Sequence, residues 1–279
     1  MWTKFFPAVL EVRRLIEAGT IGDAVSVHAD FAFSDDPDAD GGGIPRIWRR
    51  DHAGGGLLDV GIYPLAMASM VFGGRKPASV VATGALRGGI DATGGAVLRY
   101  KHVQGGDGCC DGLDGVAVLS WGVRSETEGN CFIAGTKGSI KIPSPMHCPN
   151  RIILTTTSST TTDDDDSSND THIINNERTT RTIEFPLPAA LPDAPDAADD
   201  ASYFFRNSRG FAYEAAEVWR CVVNGQKECP THTLRESILL AETMDDIRRQ
   251  MVRVIWFGYY SSLQKYPAKY YHYYFLFFS

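Results

Sequence analysis

The sequence predicts an α+β fold, a largely antiparallel β-sheet with helices packed on one face. Three patterns carry that expectation. An amphipathic helical run opens the chain. Short β-rich runs separated by glycine turns fill its middle, and two amphipathic helical runs follow them.

Residues 3–18 read as a helix, because Phe5, Val9, Val12 and Ile16 recur at helical spacing and Gly19 offers a stop. Residues 25–33 alternate as a strand, with Val25, Val27, Ala29, Phe31 and Phe33 on one face. The Asp-, Gly- and Pro-rich stretch 35–45 reads as a loop. A helix is expected over 56–72. Pro64 lies inside it and has no N–H for the Val60 carbonyl, so a kink is expected near Gly61.

Strands are expected at 79–85, 95–101, 116–123, 130–134 and 139–142, arranged as an antiparallel meander with a hairpin loop over 104–115. Residues 155–176 are threonines, serines and four consecutive aspartates at 163–166, and read as a disordered insertion. A further strand is expected at 180–185 and a proline-rich linker at 186–200. Phe211, Ala215, Val218 and Val222 form one helical stripe, ended by Asn224-Gly225. Thr233 to Glu236 is a capping box, opening a helix with Leu240, Met244, Ile247 and Met251 on its apolar stripe. From Val252 the chain is crowded with Tyr and Phe without a clean period. With helices on one sheet face, the other face needs cover. A second copy of the sheet is the simplest candidate, hence a homodimer.

Composition narrows the function. The chain is 43% hydrophobic, enough for a sizeable core. A net charge of −7 argues against a nucleic-acid surface, and the basic clusters Arg13-Arg14, 46–50 and Arg248-Arg249 are short. The cysteines at 109, 110, 131, 148, 221 and 229 have no CxxC spacing, which points to reduced thiols and a cytoplasmic protein. His147-Cys148 is a metal-ligand pair by type. With no second pair at ligand spacing, coincidence is the simpler account, and no metal is expected. The apolar start 5–10 is short and contains Pro7, and no run of about 20 apolar residues exists. Neither a signal peptide nor a membrane partner is expected.

The most informative stretch is 54–64, Gly-Gly-Gly-Leu-Leu-Asp-Val-Gly-Ile-Tyr-Pro. Three glycines feed an apolar run holding two side chains fit for chemistry, Asp59 and Tyr63. Four residues apart on a helix, they project from one face. A buried acid beside a phenol costs free energy and marks a candidate site. The plainer alternatives are a helix N-terminal acid stabilised by the dipole and a core aromatic with its hydroxyl tied to backbone.

Together with 1–7 (MWTKFFP), 16–22 (IEAGTIG), 135–140 (GTKGSI) and 210–215 (GFAYEA), this stretch resembles the C-terminal part of the Gfo/Idh/MocA oxidoreductases. Within them it is most similar to the branch of dimeric dihydrodiol and NADP-dependent D-xylose dehydrogenases. The resemblance implies that Tyr63 is the proton donor or acceptor and Asp59 its orienting partner. Trp2 matches an aromatic lining the site, and Arg46 a substrate- or cofactor-side arginine. It implies NADP(H) as cofactor and a sugar or dihydrodiol as substrate, with hydride transfer at a hydroxyl carbon.

The departures are equally specific. The chain carries no strand–GxGxxG–helix unit and no Glu-Lys-Pro segment, whose lysine works beside the acid and phenol in the family. The expected cofactor-binding residues are therefore none in this chain. The expectation is a fragment lacking a Rossmann domain of about 100–150 residues. The expected organisation is a linking helix at 1–23, a substrate and oligomerisation domain at 24–250, and an atypical aromatic tail at 251–279. A free tyrosine titrates near pH 10, and Asp59 pushes it further up, so phenolate formation needs a cation such as the missing lysine. The alternative is a non-catalytic oligomerisation or carbohydrate-binding module.

Overall fold

The computed structural model describes residues 1–39, 43–102, 114–161, 174–189 and 206–263, with backbone alone at 159–161, 174–176 and 252–263. A 3-10 turn (Trp2–Phe5) leads into α1 (Pro7–Glu17), β1 (Ala24–Ala32), a π-turn (Leu57–Gly61) and α2 (Ile62–Val71). Seven strands follow: β2 (Ser79–Arg87), β3 (Ile90–Tyr100), β4 (Gly115–Gly122), β5 (Cys131–Gly135), β6 (Gly138–Ile142), β7 (Arg151–Thr161) and β8 (Ile174–Glu184). The helices α3 (Phe211–Val223) and α4 (Leu234–Leu263) come last.

The eight strands form one sheet in the order β2-β3-β4-β1-β5-β6-β7-β8. The α+β class and the mostly antiparallel sheet expected from the sequence are what the chain adopts. The uninterrupted meander is not. β1 inserts between β4 and β5 and runs parallel to β4, while its pairing with β5 is antiparallel. Parallel neighbours need a crossover, and here the chain crosses through α2 before returning as β2 to β4. That crossover lays α2 over the centre of the sheet. Val27, Ala29, Leu98, Ala117, Leu119, Ile133 and Ile140 are buried on that side.

Among the described residues, the other face stays open. Val81, Val97, Val118, His28, Phe132 and Lys141 lie in one register across six strands. The four apolar members of that row are all exposed. At the sheet edge, Gln250 of α4 covers β2. Its amide oxygen accepts the Ala82 N–H at 2.9 Å, and its amide nitrogen donates to the Val80 carbonyl at 2.9 Å. An otherwise unpaired edge is thereby satisfied by one side chain.

Three expectations are corrected. The threonine-rich run does not begin as a loop: 155–161 complete β7, and 174–176 begin β8. Thr155 is buried and its hydroxyl meets that of Thr180 at 3.0 Å, so β-branched cross-strand pairing overrides polarity. The four aspartates, most of the 104–115 loop and much of the 186–200 linker lie outside the described residues. Secondly, helix α4 continues to Leu263, where the aromatic tail had no legible period; residues 264–279 lie outside the described set. Thirdly, the expected stripe of α3 is not buried. Phe211, Val218 and Val222 are exposed, as are Trp219 and Val223, and Cys221 is the buried residue of this helix. Periodicity defines a face but supplies no neighbour for it. Segment Arg50–Val71 reaches a mean hydropathy of 1.3 over membrane-spanning length. Two-thirds of it is buried against the sheet, so it reads as a core segment.

The expected kink takes the form of the π-turn directly before α2. A wide turn relieves the clash between the Pro64 ring and the preceding carbonyl. Its entry is fixed by Asp91 of β3, which is buried. The Asp91 carboxylate accepts the Leu57 N–H at 2.5 Å and the Trp121 indole N–H at 2.9 Å, both on Oδ2. Gly55 has φ 125°, and a Cβ there would lie 2.1 Å from Asp91 Oδ1. A Cβ at Gly61 would lie 2.9 Å from the Trp121 ring. Burial pushes the Asp91 carboxyl up, while the two hydrogen bonds pull it down. Asp91→Ala is expected to cost about 3 kcal/mol, because it leaves two buried donors unpaired. Asp91→Asn keeps an acceptor and is expected to cost about 1 kcal/mol. Urea unfolding of the two variants checks the difference.

Candidate functional site

The site is an aromatic cluster around the Tyr63 hydroxyl. The 3-10 turn carries Trp2 inward, and its indole N–H donates to Tyr63 Oη at 3.2 Å. Trp2 is itself clamped, stacked on Phe211 with centroids 4.0 Å apart and edge-on to Phe6 at 5.1 Å. Phe31, near the end of β1, meets the Tyr63 ring edge-on at 5.6 Å. Phe31 also stacks on His147 at 4.2 Å with an interplanar angle of 6°. The imidazole lies 5.5 Å from the Tyr63 ring. The backbone at His147 is tied to the 3-10 turn, since the Thr3 hydroxyl donates to the His147 carbonyl at 2.5 Å.

Asp59 projects from the π-turn and forms an ion pair with Arg46. Arg46 comes from the 43–49 loop, which Asp35 anchors by accepting the Ile44 N–H at 3.0 Å and the Trp48 indole N–H at 2.5 Å. The structure therefore brings all four sequence-selected residues, Trp2, Arg46, Asp59 and Tyr63, into two contacting pairs. It also adds Phe31, His147 and Phe211, which sequence reasoning assigned elsewhere. Phe31 read as a sheet-face residue and Phe211 as a helix-stripe residue. His147 read as part of a His-Cys pair whose ligand types are coincidental. Its ring instead stacks on Phe31, while the Cys148 thiol faces the Arg206 carbonyl at 3.3 Å. A lone histidine carries no periodic signal that would have revealed this.

Electrostatics define what the site can do. Burial pushes the Tyr63 phenol up, Asp59 adds to the shift, and the Trp2 hydrogen bond opposes it. Tyr63 is thus a neutral phenol at pH 7, able to donate a proton. Burial also pushes His147 down to about 4, so its imidazole is neutral and offers one donor and one acceptor. A cation brought to the phenol oxygen would be needed to make Tyr63 a base.

A second polar chain supports the Trp2 side. Lys4, buried in the 3-10 turn, pairs with Glu236 at the start of α4, and His232 approaches Glu236 at 3.3 Å. Glu236 N–H is in turn capped by the Thr233 hydroxyl at 3.2 Å, so half of the expected capping box forms. The Glu236 side chain is diverted to Lys4 rather than closing the box. These two residues also edge a cleft of about 570 Å³ between α1, the end of α2 and the 230–236 turn. Asp59 and Tyr63 do not line it, and its walls hold no acid–phenol pair.

Burial raises the Glu236 carboxyl, but the hydrogen bonds and charges of His232 and Lys4 outweigh it and hold it at about 2. A free glutamate titrates near 4.3. The stability from this pairing is therefore complete above about pH 4.5 and lost as pH falls towards 2. Acid unfolding followed by circular dichroism is expected to show this loss in the parent chain and to show a flatter profile in Glu236→Gln.

Comparisons with known proteins match this fold and sequence. Residues 9–141 match the GFO/IDH/MocA C-terminal domain. Trans-1,2-dihydrobenzene-1,2-diol dehydrogenase of Danio rerio is 33% identical over 252 residues, which is 90% of this chain and 60% of that protein. The Homo sapiens protein of the same name is 30% identical over 250 residues, 89% of this chain and 60% of that protein. The chain thus spans about 60% of the length of these relatives. Among solved structures, aldose-aldose oxidoreductase from Caulobacter crescentus, complexed with glycerol, superposes with a TM-score of 0.59. It is 16% identical, over 90% of this chain and 60% of that one. Levoglucosan dehydrogenase, in complex with NADH and levoglucosan, gives a TM-score of 0.58 at 17% identity, over 90% and 62% of the two chains. At these identities the structural matches speak for the fold. They give this chain an α+β fold of the same kind as theirs, and residues 9–141 are similar to the GFO/IDH/MocA C-terminal domain.

Proposed function

We propose that this chain is the substrate-side part of a nicotinamide-dependent oxidoreductase. Its substrate is a sugar or dihydrodiol, and Tyr63 exchanges the proton at the reacting hydroxyl. The observation that carries the reading is the Tyr63 hydroxyl, held by the Trp2 indole beside the Asp59–Arg46 pair. The names of the matched dehydrogenases support the substrate class, and NADP(H) is the proposed cofactor. The cofactor supplies the hydride when bound. This chain's own residues fit the substrate side and not the phosphate side. The space beside Gly55 is filled by the Asp91 carboxylate and that beside Gly54 by the Ile47 carbonyl, so neither glycine leaves room for a phosphate.

The flat rings of Trp2, Phe31 and His147 suit the C–H faces of a cyclic polyol. Arg46 restrains Asp59, whose charge acts on the phenol, while the Trp2 indole holds the Tyr63 hydroxyl. As a neutral phenol, Tyr63 serves first as the acid for carbonyl reduction. Oxidation requires a cation beside it. The enclosing aromatics keep water from competing for the proton.

A homodimer through the open sheet face accompanies this reading, supported by the exposed row Val81, Val97, Val118 and Phe132. The same row favours the second reading, a non-catalytic oligomerisation or carbohydrate-binding module.

An NADPH fluorescence titration, run with sugar and dihydrodiol turnover assays, separates the two readings. Saturable quenching with turnover is expected for the first, and Tyr63→Phe should then lower kcat by about 10²–10⁴. Absence of NADPH binding in a folded chain that still dimerises would leave the second. Val118→Glu is expected to turn a dimer into a monomer by sedimentation velocity, because it buries an unpaired charge in the sheet face. A Val118→Glu chain that stays dimeric rules that face out.

A further inference from the structure

Outside the aromatic cluster, one group of side chains among the described residues has the geometry of a metal site. Glu217 and Cys221 stand one helical turn apart on α3. Gly225, in the left-handed region at φ 64°, turns the chain back, and a bridge between Cys229 and His232 closes the following loop. Cys229 is thereby returned to the last turns of α3. Its sulfur lies 3.2 Å from Glu217 Oε1, the Cys221 sulfur lies 3.9 Å from the same oxygen, and all three ligand atoms fall within 4.8 Å of one another. Tetrahedral zinc, with Zn–S of about 2.3 Å and Zn–O of about 2.0–2.2 Å, sets its ligand atoms roughly 3.5–3.8 Å apart. The three atoms already stand near three corners of such a tetrahedron.

We propose that Glu217, Cys221 and Cys229 bind a thiophilic divalent cation of the zinc class, with water at the fourth corner. Two sulfurs select soft or borderline metals over calcium and magnesium. Binding releases the two thiol protons to solvent. Two thiolates and a carboxylate around a dication leave one net negative charge, and Arg220 is placed to balance it. Its Nε donates to Glu217 Oε2 at 2.7 Å and its Nη2 to Oε1 at 2.6 Å. The cation takes over Oε1, and the Oε2 contact remains as the outer support that orients the ligand. The neighbouring polar groups are otherwise engaged. His232 faces Glu236 and Ser237 at 3.3 and 3.1 Å, and Glu228 accepts the Leu234 N–H at 2.8 Å. Occupancy would fasten the 224–229 turn to α3, just ahead of the α4 start that holds Lys4 beside Trp2. The site is thus a structural staple for one wall of the aromatic cluster.

The test uses Zn²⁺ alone as probe, titrated into the reduced chain against a chromophoric chelator. One equivalent is expected to bind in the parent chain and in a Cys109→Ser/Cys110→Ser variant, which removes the adjacent thiol pair. Cys221→Ser and Cys229→Ser should each weaken it by more than the roughly 10–100-fold lost with an outer support residue. Glu217→Gln should weaken it less. Co²⁺ substitution should give tetrahedral thiolate bands that vanish in Cys229→Ser. If Zn²⁺ affinity is unchanged in both folded cysteine variants, or if no equivalent binds when both thiols are reduced, the site does not exist.

Discussion

The buried carboxylate of Asp91 is the interaction on which the site depends. It accepts one backbone N–H from the entry of the π-turn and one indole N–H from Trp121 in β4, and so joins the helical layer to the sheet at one point. A buried acid is costly unless its oxygens are satisfied, and here both donors converge on the same oxygen. Gly55 leaves room for that carboxylate and Gly61 for the Trp121 ring. The glycine run ahead of the acid and the phenol is thus a packing device. It sets the height at which Asp59 and Tyr63 leave the sheet.

From that anchored turn the acid and the phenol are treated differently by their surroundings. Asp59 is held by Arg46 at the solvent side, whereas Tyr63 faces inward among Trp2, Phe31 and His147. Burial keeps both Tyr63 and His147 neutral. The cluster is therefore a low-polarity aromatic surface with one proton donor at its centre and one ion pair at its rim. Such a surface suits a cyclic hydroxylated ligand.

The open sheet face and the open stripe of α3 are two unsatisfied surfaces of different kinds. The first is a register of small and medium apolar side chains on a rigid sheet. The second is a helix face whose Val218, Trp219, Val222 and Val223 stand in solvent. One lies behind the site and the other beside it, so neither supplies the chemistry, but both limit how the chain can stand alone.

The sequence by itself determined the elements that repeat with a clear period: α1, the apolar stripe of α4 and most strands. These follow from local rules, in which side chains at set intervals share a face whatever surrounds them. It also determined that Tyr63 would resist ionisation beside Asp59. Tertiary structure alone decided the rest. The insertion of β1 beside β4, the strand at 155–161, the clamp by Asp91 and the arrival of His147 at Tyr63 all depend on residues far apart in the chain. No local pattern encodes them, because each is stabilised by a neighbour that only the folded sheet supplies.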